Sequence, residues 1–376
     1  MLTEIYTASA SRSVELAVVT RNGFIESRHI GSVVVVGPDG EVTFALGDPD
    51  ALILPRSAMK PFIATALMST EVTLGGALAA IATSSHSGSE KHVLLVRQLL
   101  EAAGLTEAAL ECPRDMPADR ALRTIMIKRD IGPSPQFHCC SGKHAAMLLA
   151  CRANDWPVEG YLSPEHPVQQ RIREVIERLI GTKVAFTAVD GCGAPVYPMS
   201  LTQLARGMRQ IVTASADSPF AMFRAGAELS DAMVAYPDVV GAAGEPDTVL
   251  MQRLGLVAKT GYEGIFIAAT RSGYSAAVKV LDGNLRAAGL SVWDRDPDTG
   301  SQIEYVDDTG HFIVKLDGIV KGVPEAEKTP HVLEIKTHNK NSFAGVLRHG
   351  VQKAKPEHYI QVQAGMLKSG LKRGLY

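Results

Sequence analysis

The chain carries Pro55-Arg56-Ser57-Ala58-Met59-Lys60 at the start of a run of apolar residues at helical spacing that ends at Met68. The proline predicts that Ser57 stands at the N-terminus of a helix. A Ser-x-x-Lys sequence there places both side chains on one face, one turn apart. The helix N–H groups favour developing negative charge and can form an oxyanion hole. A lysine in this dry, positive setting has a lowered pKa and can take the serine proton, so the pattern predicts Ser57 as nucleophile and Lys60 as its base.

A second motif strengthens this interpretation. Ser-x-x-Lys alone is a weak signal, because Ser369-Gly370-Leu371-Lys372 matches it too. Lys259-Thr260-Gly261 lies between two predicted strands, and Ser-x-x-Lys followed by Lys-Thr-Gly is the arrangement of serine β-lactamases and related amidohydrolases. Gly261 would let a substrate approach a strand edge, and Lys259 would place a positive charge beside the serine.

The hydrophobic pattern predicts an α+β fold. Strands rich in β-branched residues are predicted towards both ends of residues 1–288, and the middle has apolar residues at helical spacing. We therefore expect one sheet built from the N-terminal and C-terminal parts, around a helical middle. The predicted strands are residues 14–20, 32–36, 42–46, 183–189, 257–259, 264–269 and 276–280, and the predicted helices are residues 58–68, 74–82, 92–103, 145–153, 168–180 and 199–212.

The composition excludes several classes of protein. Of 376 residues, 46% are hydrophobic and 21% are charged, which is typical of a soluble globular protein and not of a disordered chain. A net charge of -2 argues against a chain-wide electrostatic contact with nucleic acid or anionic lipid. The first residues show no signal-peptide pattern, and no apolar stretch approaches the ~20 residues of a membrane span. We expect a cytoplasmic protein without a membrane partner.

The cysteines suggest a metal site. Cys140 and Lys143 lie one helical turn apart, and Asp190 and Cys192 follow on a glycine-rich loop. Two thiolates with a nitrogen and a water can hold zinc in tetrahedral geometry, with Zn–S distances near ~2.3 Å. Because lysine is a rare ligand, buried structural cysteines are the alternative interpretation. Two histidines of the same region are conventional alternatives for the nitrogen, namely His138 and His144.

Residues 1–288 closely resemble the Rhizobium etli-type (class 3) L-asparaginases. Five motifs, in order along the chain, carry the resemblance: Arg56-Ser57-Ala58-Met59-Lys60-Pro61, Ser84-Ser85-His86-Ser87-Gly88, Cys140-Ser141-Gly142-Lys143-His144, Asp190-Gly191-Cys192-Gly193 and Lys259-Thr260-Gly261. The resemblance implies a serine β-lactamase-like sheet with a helical subdomain. It also implies hydrolysis of L-asparagine to L-aspartate and ammonia by a homodimer.

The same resemblance implies roles for single catalytic residues. Ser57 would be the nucleophile and Lys60 its base, while Ser85 and Lys259 would form a second serine–lysine pair beside the substrate amide. Attack by Ser57 would release ammonia, and water would then hydrolyse the β-aspartyl ester. Each step needs a proton transfer and an oxyanion stabiliser, which two Ser–Lys pairs and helix N–H groups can supply.

The resemblance also implies a zinc ion that helps to orient the substrate. Its ligands would be Cys140, Lys143 and Cys192, with Asp190 behind them. Arg56 would assist the charge network of the active site.

A second set of residues follows a junction at residues 289–293. Asp317 and Glu334, the latter at the end of an apolar strand, can hold Mg²⁺, and Lys336 can activate the attacking water. With these residues, the stretch 294–376 resembles an incomplete α/β PD-(D/E)xK nuclease of the phage YqaJ and lambda-exonuclease kind. Gln361 or Gln363 would lie on the helix that lines this site, and the basic excess after Lys340 would suit DNA phosphates. A Mg²⁺-dependent DNA exonuclease is therefore an alternative function, and a non-catalytic zinc-binding chimera is another.

Overall fold

The computed structural model describes residues 6–283 and, beyond them, the backbone of six short strands. None of the described helices is long and apolar enough to cross a membrane. The helices are α1 (Lys60–Met68), α2 (Gly76–Ala82), α3 (Glu90–Ala102), α4 (Arg120–Lys128), α5 (Ser141–Ala153), α6 (Pro167–Ile180), α7 (Leu201–Val212), α8 (Ala221–Ala235), α9 (Pro237–Val240) and α10 (Pro246–Leu254). The strands up to residue 283 are β1 (Val14–Arg21), β2 (Phe24–Val36), β3 (Val42–Leu46), β4 (Leu52–Ile53), β5 (Ala188–Val189), β6 (Pro195–Val196), β7 (Met199–Ser200), β8 (Val257–Gly261), β9 (Ile265–Ala269) and β10 (Ser275–Val280).

Contacts within the chain divide it into two compact units. One consists of Met1–Leu16 and Arg28–Leu285, and the other consists of Ala17–Ser27 and Arg286–Tyr376. The predicted boundaries of 1–288, 289–293 and 294–376 stay predictions.

One sheet joins the N-terminal and C-terminal strands, as the pattern predicted. Its order is β1-β2-β10-β9-β8, and β3 pairs with β2. β10 is antiparallel to both of its neighbours, with Ser275 opposite Val36 on one side and opposite Ala269 on the other. Alternate residues of β9 are buried, which is the period-two pattern of a strand with one covered face. The predicted mixed α+β fold is confirmed.

Helix α1 lies at the centre of the core. Its sequence is apolar on all sides after Lys60, and every one of its residues is buried. Helices α5, α6, α7 and α8 pack against it, while α7 also covers β9 and β10 and α10 covers β8. A helix that is apolar on every face has to be buried. The residues that lead into α1 are therefore held in the interior.

The strand predicted at residues 183–189 is wrong for most of its length, because only Ala188–Val189 is extended in a ladder. Side chains of α6 form hydrogen bonds with the backbone N–H and carbonyl of Val184 instead. Glu177 Oε1 accepts the Val184 N–H at 3.0 Å, and Arg173 Nη2 donates to the Val184 carbonyl at 3.1 Å. With both backbone groups taken by side chains, this segment needs no strand partner.

The helix predicted at residues 199–212 begins two residues later, at Leu201. Ser200 Oγ accepts the Gln203 N–H at 3.1 Å, and Gln203 Oε1 accepts the Ser200 N–H at 2.9 Å. This reciprocal pair is a capping box, which satisfies two free N–H groups and fixes the first turn. Met199–Ser200 instead pairs with Leu52–Ile53 as a short strand.

The strands beyond residue 283 form two small groups. The six strands are β11 (Ser291–Trp293), β12 (Glu304–Val306), β13 (Ile313–Lys315), β14 (Gly318–Lys321), β15 (His331–Leu333) and β16 (Gly374–Leu375). Four of them form a sheet in the order β11-β14-β15-β16, and β12 pairs with β13. The predicted nuclease residues Asp317, Glu334, Lys336 and Gln361 lie outside the described residues. The nuclease-like segment and its Mg²⁺ site stay predictions.

Glu177 is expected to stabilise the first unit in a pH-dependent way. Burial alone would raise its pKa, but hydrogen bonds from Lys183, the Val184 N–H and Arg173 lower it from 4.5 to about 2. A lowered carboxylate pKa adds stability that is present above the unfolded-state pKa and is lost as the pH falls through the folded-state pKa. We expect Glu177→Gln to lower the free energy of unfolding at neutral pH by about 1–2 kcal/mol. Urea denaturation across the pH range measures this difference in the free energy of unfolding. The difference should shrink as the pH falls from 4.5 to about 2.

Glu174→Gln is the matched control on the same helix. The Glu174 side chain is 45% exposed and pairs with Arg171 and Arg178 at the surface. Its loss should change the free energy of unfolding by less than about 0.5 kcal/mol. Equal effects of the two substitutions at neutral pH would contradict the assignment.

Candidate active site

Ser57 lies in a 3₁₀ turn, Arg56–Met59, that leads into α1. The α-helix itself begins at Lys60. Ser57 therefore precedes the α-helix, as predicted, but lies in a 3₁₀ turn instead of the first α-helical turn. Ser57 is 3% exposed. Arg56 has a φ of 51°, a left-handed conformation that costs a residue with a side chain roughly 1–2 kcal/mol. A strained residue directly before a candidate nucleophile is typical of a functional turn held by its surroundings.

The Lys60 side chain reaches Ser85. Its Nζ donates to Ser85 Oγ at 3.0 Å, to the Ser84 carbonyl, and to the Cys139 carbonyl at 3.5 Å. Lys60 is 1% exposed, so these acceptors replace water. Among the described residues, Lys60 Nζ makes no hydrogen bond to Ser57 Oγ. The structure thus brings Lys60 to the second serine, whereas the sequence pattern paired Lys60 with the first.

Lys259 lies on β8 and is completely buried. Its Nζ donates to Asp247 Oδ2 at 3.1 Å and to the Thr260 carbonyl at 3.2 Å. Lys259 Nζ makes no hydrogen bond to Ser85 in the described part of the chain, and the pairing of Ser85 with Lys259 beside the substrate amide stays a prediction. Burial lowers the pKa of Lys259, the Asp247 carboxylate opposes this shift, and the nearby Lys60 adds to it.

Gly261 brings the Lys-Thr-Gly strand against the Ser57 turn. A Cβ atom added to Gly261 would lie 2.7 Å from the Pro55 carbonyl oxygen and 3.3 Å from the Ala58 nitrogen. These are the two atoms that close the turn, since the Ala58 N–H donates to the Pro55 carbonyl at 3.0 Å. A side chain does not fit at this distance, so the close approach of strand and turn requires glycine.

Arg56 and Asp190 form an ion pair beside the turn. Arg56 Nε donates to Asp190 Oδ1 at 2.6 Å, and their side chains are 25% and 10% exposed. The same oxygen also accepts the Gly191 N–H at 2.9 Å. Asp190 Oδ2 lies 3.9 Å from Cys192 Sγ. The ion pair therefore connects the serine turn to the cysteine loop.

The predicted zinc ligands converge on one buried cluster. Cys140 is the residue before α5, Lys143 lies in the first turn of α5, and Cys192 lies on the loop between β5 and β6. Each is at most 4% exposed. Lys143 Nζ lies 3.1 Å from Cys192 Sγ, and Cys139 Sγ lies 3.8 Å from Cys140 Sγ. Two sulfur atoms and one amine nitrogen form a donor set that fits zinc.

The two thiols of the cluster have pKa values that are shifted in opposite directions. Hydrogen bonds from Cys139 and Cys192 hold the pKa of the Cys140 thiol well below its usual range, although burial opposes them. The contact with Cys140, together with burial, raises the pKa of Cys192. Burial would lower the pKa of Lys143, but Cys192, Cys140 and Asp190 outweigh it and raise this pKa. Zinc binding would have to release the Lys143 proton, so its affinity should depend on pH.

One of the two histidine alternatives, His138, lies at the cysteine cluster. Ligand atoms of His138, Cys139 and Cys140 lie within 4.8 Å of one another. His144 Nδ1 pairs with Tyr161 OH at 2.7 Å, and His144 Nε2 has no partner among the described residues. Burial lowers the pKa of His144 well below its usual range. The contacts of the described residues therefore favour His138 over His144 as the alternative nitrogen ligand.

Three residues of this region were missed by the sequence interpretation. Cys139 hydrogen-bonds to Cys140, and Tyr262 has the Arg56 guanidinium 5.8 Å from its ring centre. Asp247 is the partner of Lys259. A weak signal for Asp247 exists, because an acidic residue directly after Pro246 is typical of a helix start. No sequence pattern links that helix start to Lys259.

The described residues define the class of the protein, which is mixed α+β with a buried serine and three buried lysines. A family model described as L-asparaginase II matches residues 17–294, so the chain belongs to this family of amidohydrolases. A β-lactamase from Mycobacterium bovis is 16% identical, with a TM-score of 0.37, over 69% of this chain and 89% of that chain. A Bacillus glutaminase is 12% identical, with a TM-score of 0.36, over 69% of this chain and 87% of that chain. The protein Mglu is 14% identical, with a TM-score of 0.37, over 69% and 61% of the two chains. No curated protein matches the chain.

Substitution of Gly261 tests the contact between strand and turn. We expect Gly261→Ala to lower the free energy of unfolding by about 1–3 kcal/mol, because the new methyl group overlaps backbone atoms that cannot move independently. Urea denaturation measures the change. Gly132→Ala is the control, since a Cβ atom there meets nothing within 4 Å. Equal stabilities of the two variants would show that β8 does not lie against the Ser57 turn.

Proposed function

We propose that this protein is an L-asparagine amidohydrolase of the Rhizobium etli (class 3) type, which converts L-asparagine and water to L-aspartate and ammonia. Membership of the L-asparaginase II family supports the reaction class. The same membership leads us to propose a homodimer as the assembly.

A single structural observation carries the mechanism. Gly261 lies so close to Pro55 and Ala58 that the Lys-Thr-Gly strand and the Ser-x-x-Lys turn form one buried region. This contact supports a single site that contains both Ser57 and Lys259, which are distant in sequence. A nucleophilic hydroxyl with buried cations nearby is suited to acyl transfer, because the cations stabilise the developing oxyanion.

In the acylation step, Ser57 Oγ attacks the side-chain amide carbon of L-asparagine. Lys60, as a neutral amine, accepts the Ser57 proton as the C–O bond forms. Ser85, hydrogen-bonded to Lys60, passes a proton to the amide nitrogen, and the C–N bond breaks to release ammonia. Lys259 supplies positive charge in the same region. The product is a β-aspartyl ester on Ser57.

In the deacylation step, water attacks the ester carbon. Lys60 and Ser85 accept the water proton and return one to Ser57 Oγ as the C–O bond to the serine breaks. L-aspartate leaves and the enzyme regains its starting protonation state. The two steps use the same proton path in opposite directions.

Zinc would be held by Cys140, Lys143 and Cys192 and would supply a Lewis-acidic centre that orients the substrate. Asp190 links this cluster to the Ser57 turn through its ion pair with Arg56. That ion pair keeps the strained Arg56 backbone in place, so the cluster and the nucleophile are positioned together.

Loss of the Ser57 hydroxyl tests the proposed nucleophile. We expect Ser57→Ala to reduce ammonia release from L-asparagine at least about 10⁴-fold, because the acyl-enzyme can no longer form. A coupled ammonia assay measures the rate, and L-glutamine in parallel defines the amide preference. Ser272→Ala, on the exposed turn between β9 and β10, should retain the parent rate. Undiminished ammonia release by Ser57→Ala would refute the proposed mechanism.

Removal of a thiol tests the zinc site. We expect Cys192→Ala to lose bound zinc, because the loss of one thiolate ligand leaves an incomplete tetrahedral set. Elemental analysis after dialysis against zinc measures the metal content per chain. Cys151→Ala is the control, since Cys151 is a buried free thiol at the end of α5. Equal zinc content in both variants would exclude Cys192 as a ligand.

A further inference from the structure

A buried carboxylate lies behind Lys259. Asp247 is the second residue of α10 and is 2% exposed. The mechanism above assigns it no part. Aspartate is rarely buried to this extent unless it is paired or hydrogen-bonded, because desolvation of the charge is costly. The partners of Asp247 therefore define what it does.

Both oxygens of Asp247 are occupied. Oδ2 accepts hydrogen bonds from Lys259 Nζ at 3.1 Å and from the Thr260 N–H at 3.0 Å. Oδ1 accepts the Thr248 N–H at 3.0 Å. One carboxylate thus binds the side chain of Lys259, the backbone of the next residue on β8, and the first turn of α10. Helix and strand are fixed to each other at the lysine.

Lys259 depends on this partner for its charge. Its only other acceptor among the described residues is the Thr260 carbonyl, and Lys60 is a second buried lysine nearby. Cys139 faces the same group from the cysteine cluster. A completely buried ammonium without a counter-ion loses its proton or destabilises the fold. Asp247 is the carboxylate that prevents both.

We propose that Asp247 is a positioning residue that fixes the Lys259 side chain and keeps it cationic through a direct buried ion pair. It acts through Lys259 and does not touch the reacting atoms. The part that Lys259 takes in turnover rests on the proposed function, whereas the ion pair itself does not.

Asp247→Asn separates charge from shape. The amide occupies nearly the same volume, but its NH₂ group cannot accept any of the three donors that now face the carboxylate. The substitution therefore removes the negative charge and turns one hydrogen bond into a repulsive contact. Asp231→Asn is the matched control, because it removes an ion pair with Arg271 at a side chain that is 79% exposed.

The decisive measurement is the titration of Lys259 by NMR in the full chain, labelled with ¹³C and ¹⁵N at the lysine side chains. Loss of one signal in Lys259→Arg assigns the residue. We expect Lys259 to lose its proton at a lower pH in Asp247→Asn than in the parent and in Asp231→Asn. The same titration midpoint in all three proteins would overturn the proposal.

Ammonia release supplies the second readout. We expect kcat of Asp247→Asn to fall about 10- to 100-fold, as is typical when a partner that orients a functional group is lost. Because Lys259 would lose its proton earlier, the alkaline limb of the pH profile should move to lower pH, which a purely structural role would not cause. An unshifted limb would contradict the proposal. A parent protein that releases no ammonia would refute the proposed function, while the NMR titration would still decide the role of Asp247.

A second variant covers the case in which Asp247→Asn does not fold. Asp247→Asn combined with Lys259→Met removes both charges, so no unpaired ammonium stays buried. We expect this double variant to be more stable than the single Asp247→Asn variant. Equal or lower stability would show that the two side chains are not coupled, and would overturn the proposal.

Discussion

Three lysine side chains are buried in the described part of the chain, and the need of each amino group for a hydrogen-bond partner organises the site. Lys60 finds the Ser85 hydroxyl, Lys143 finds the Cys192 sulfur and Lys259 finds the Asp247 carboxylate. An unpaired buried charge costs several kcal/mol, which is a large part of the ~5–15 kcal/mol that holds a protein together. The acceptors therefore cannot be exchanged freely. They come from separate segments of the first unit, and the lysines draw these segments together around the start of α1.

The elements with a clear local composition were predictable. Strands β3 and β8 to β10 lie where apolar and β-branched residues predicted strands, and α1 follows from its apolar run behind Pro55. The motifs also indicated which residues share a site. The hydrogen-bond partner of each lysine was not predictable, because a buried amine binds the acceptor that the tertiary fold brings next to it. Lys60 bonds to Ser85, and Lys259 bonds to Asp247, a residue on a helix start without any motif. Tertiary contacts also removed most of the strand at 183–189, where side chains of α6 bind the backbone.

The cysteine cluster and the serine turn are mechanically connected. Arg56 holds a left-handed backbone conformation directly before Ser57, and its side chain is tied to Asp190. Asp190 in turn lies beside Cys192 and helps to raise the pKa of Lys143. A change in the protonation or metal content of the cluster would reach Asp190 first and then the strained turn. The zinc ligands suggested by the family resemblance thus have a physical route by which they influence the nucleophile.

The proposed mechanism has Ser57 carry the acyl group between the two steps, and this intermediate can be observed directly. The measurement is acid quenching of the full chain during turnover of L-asparagine, followed by peptide mass mapping. The account predicts that the peptide containing Ser57 gains the mass of one aspartyl group, as expected for a β-ester intermediate. Ammonia release with an adduct on Ser85, or with no adduct on any serine, would contradict it.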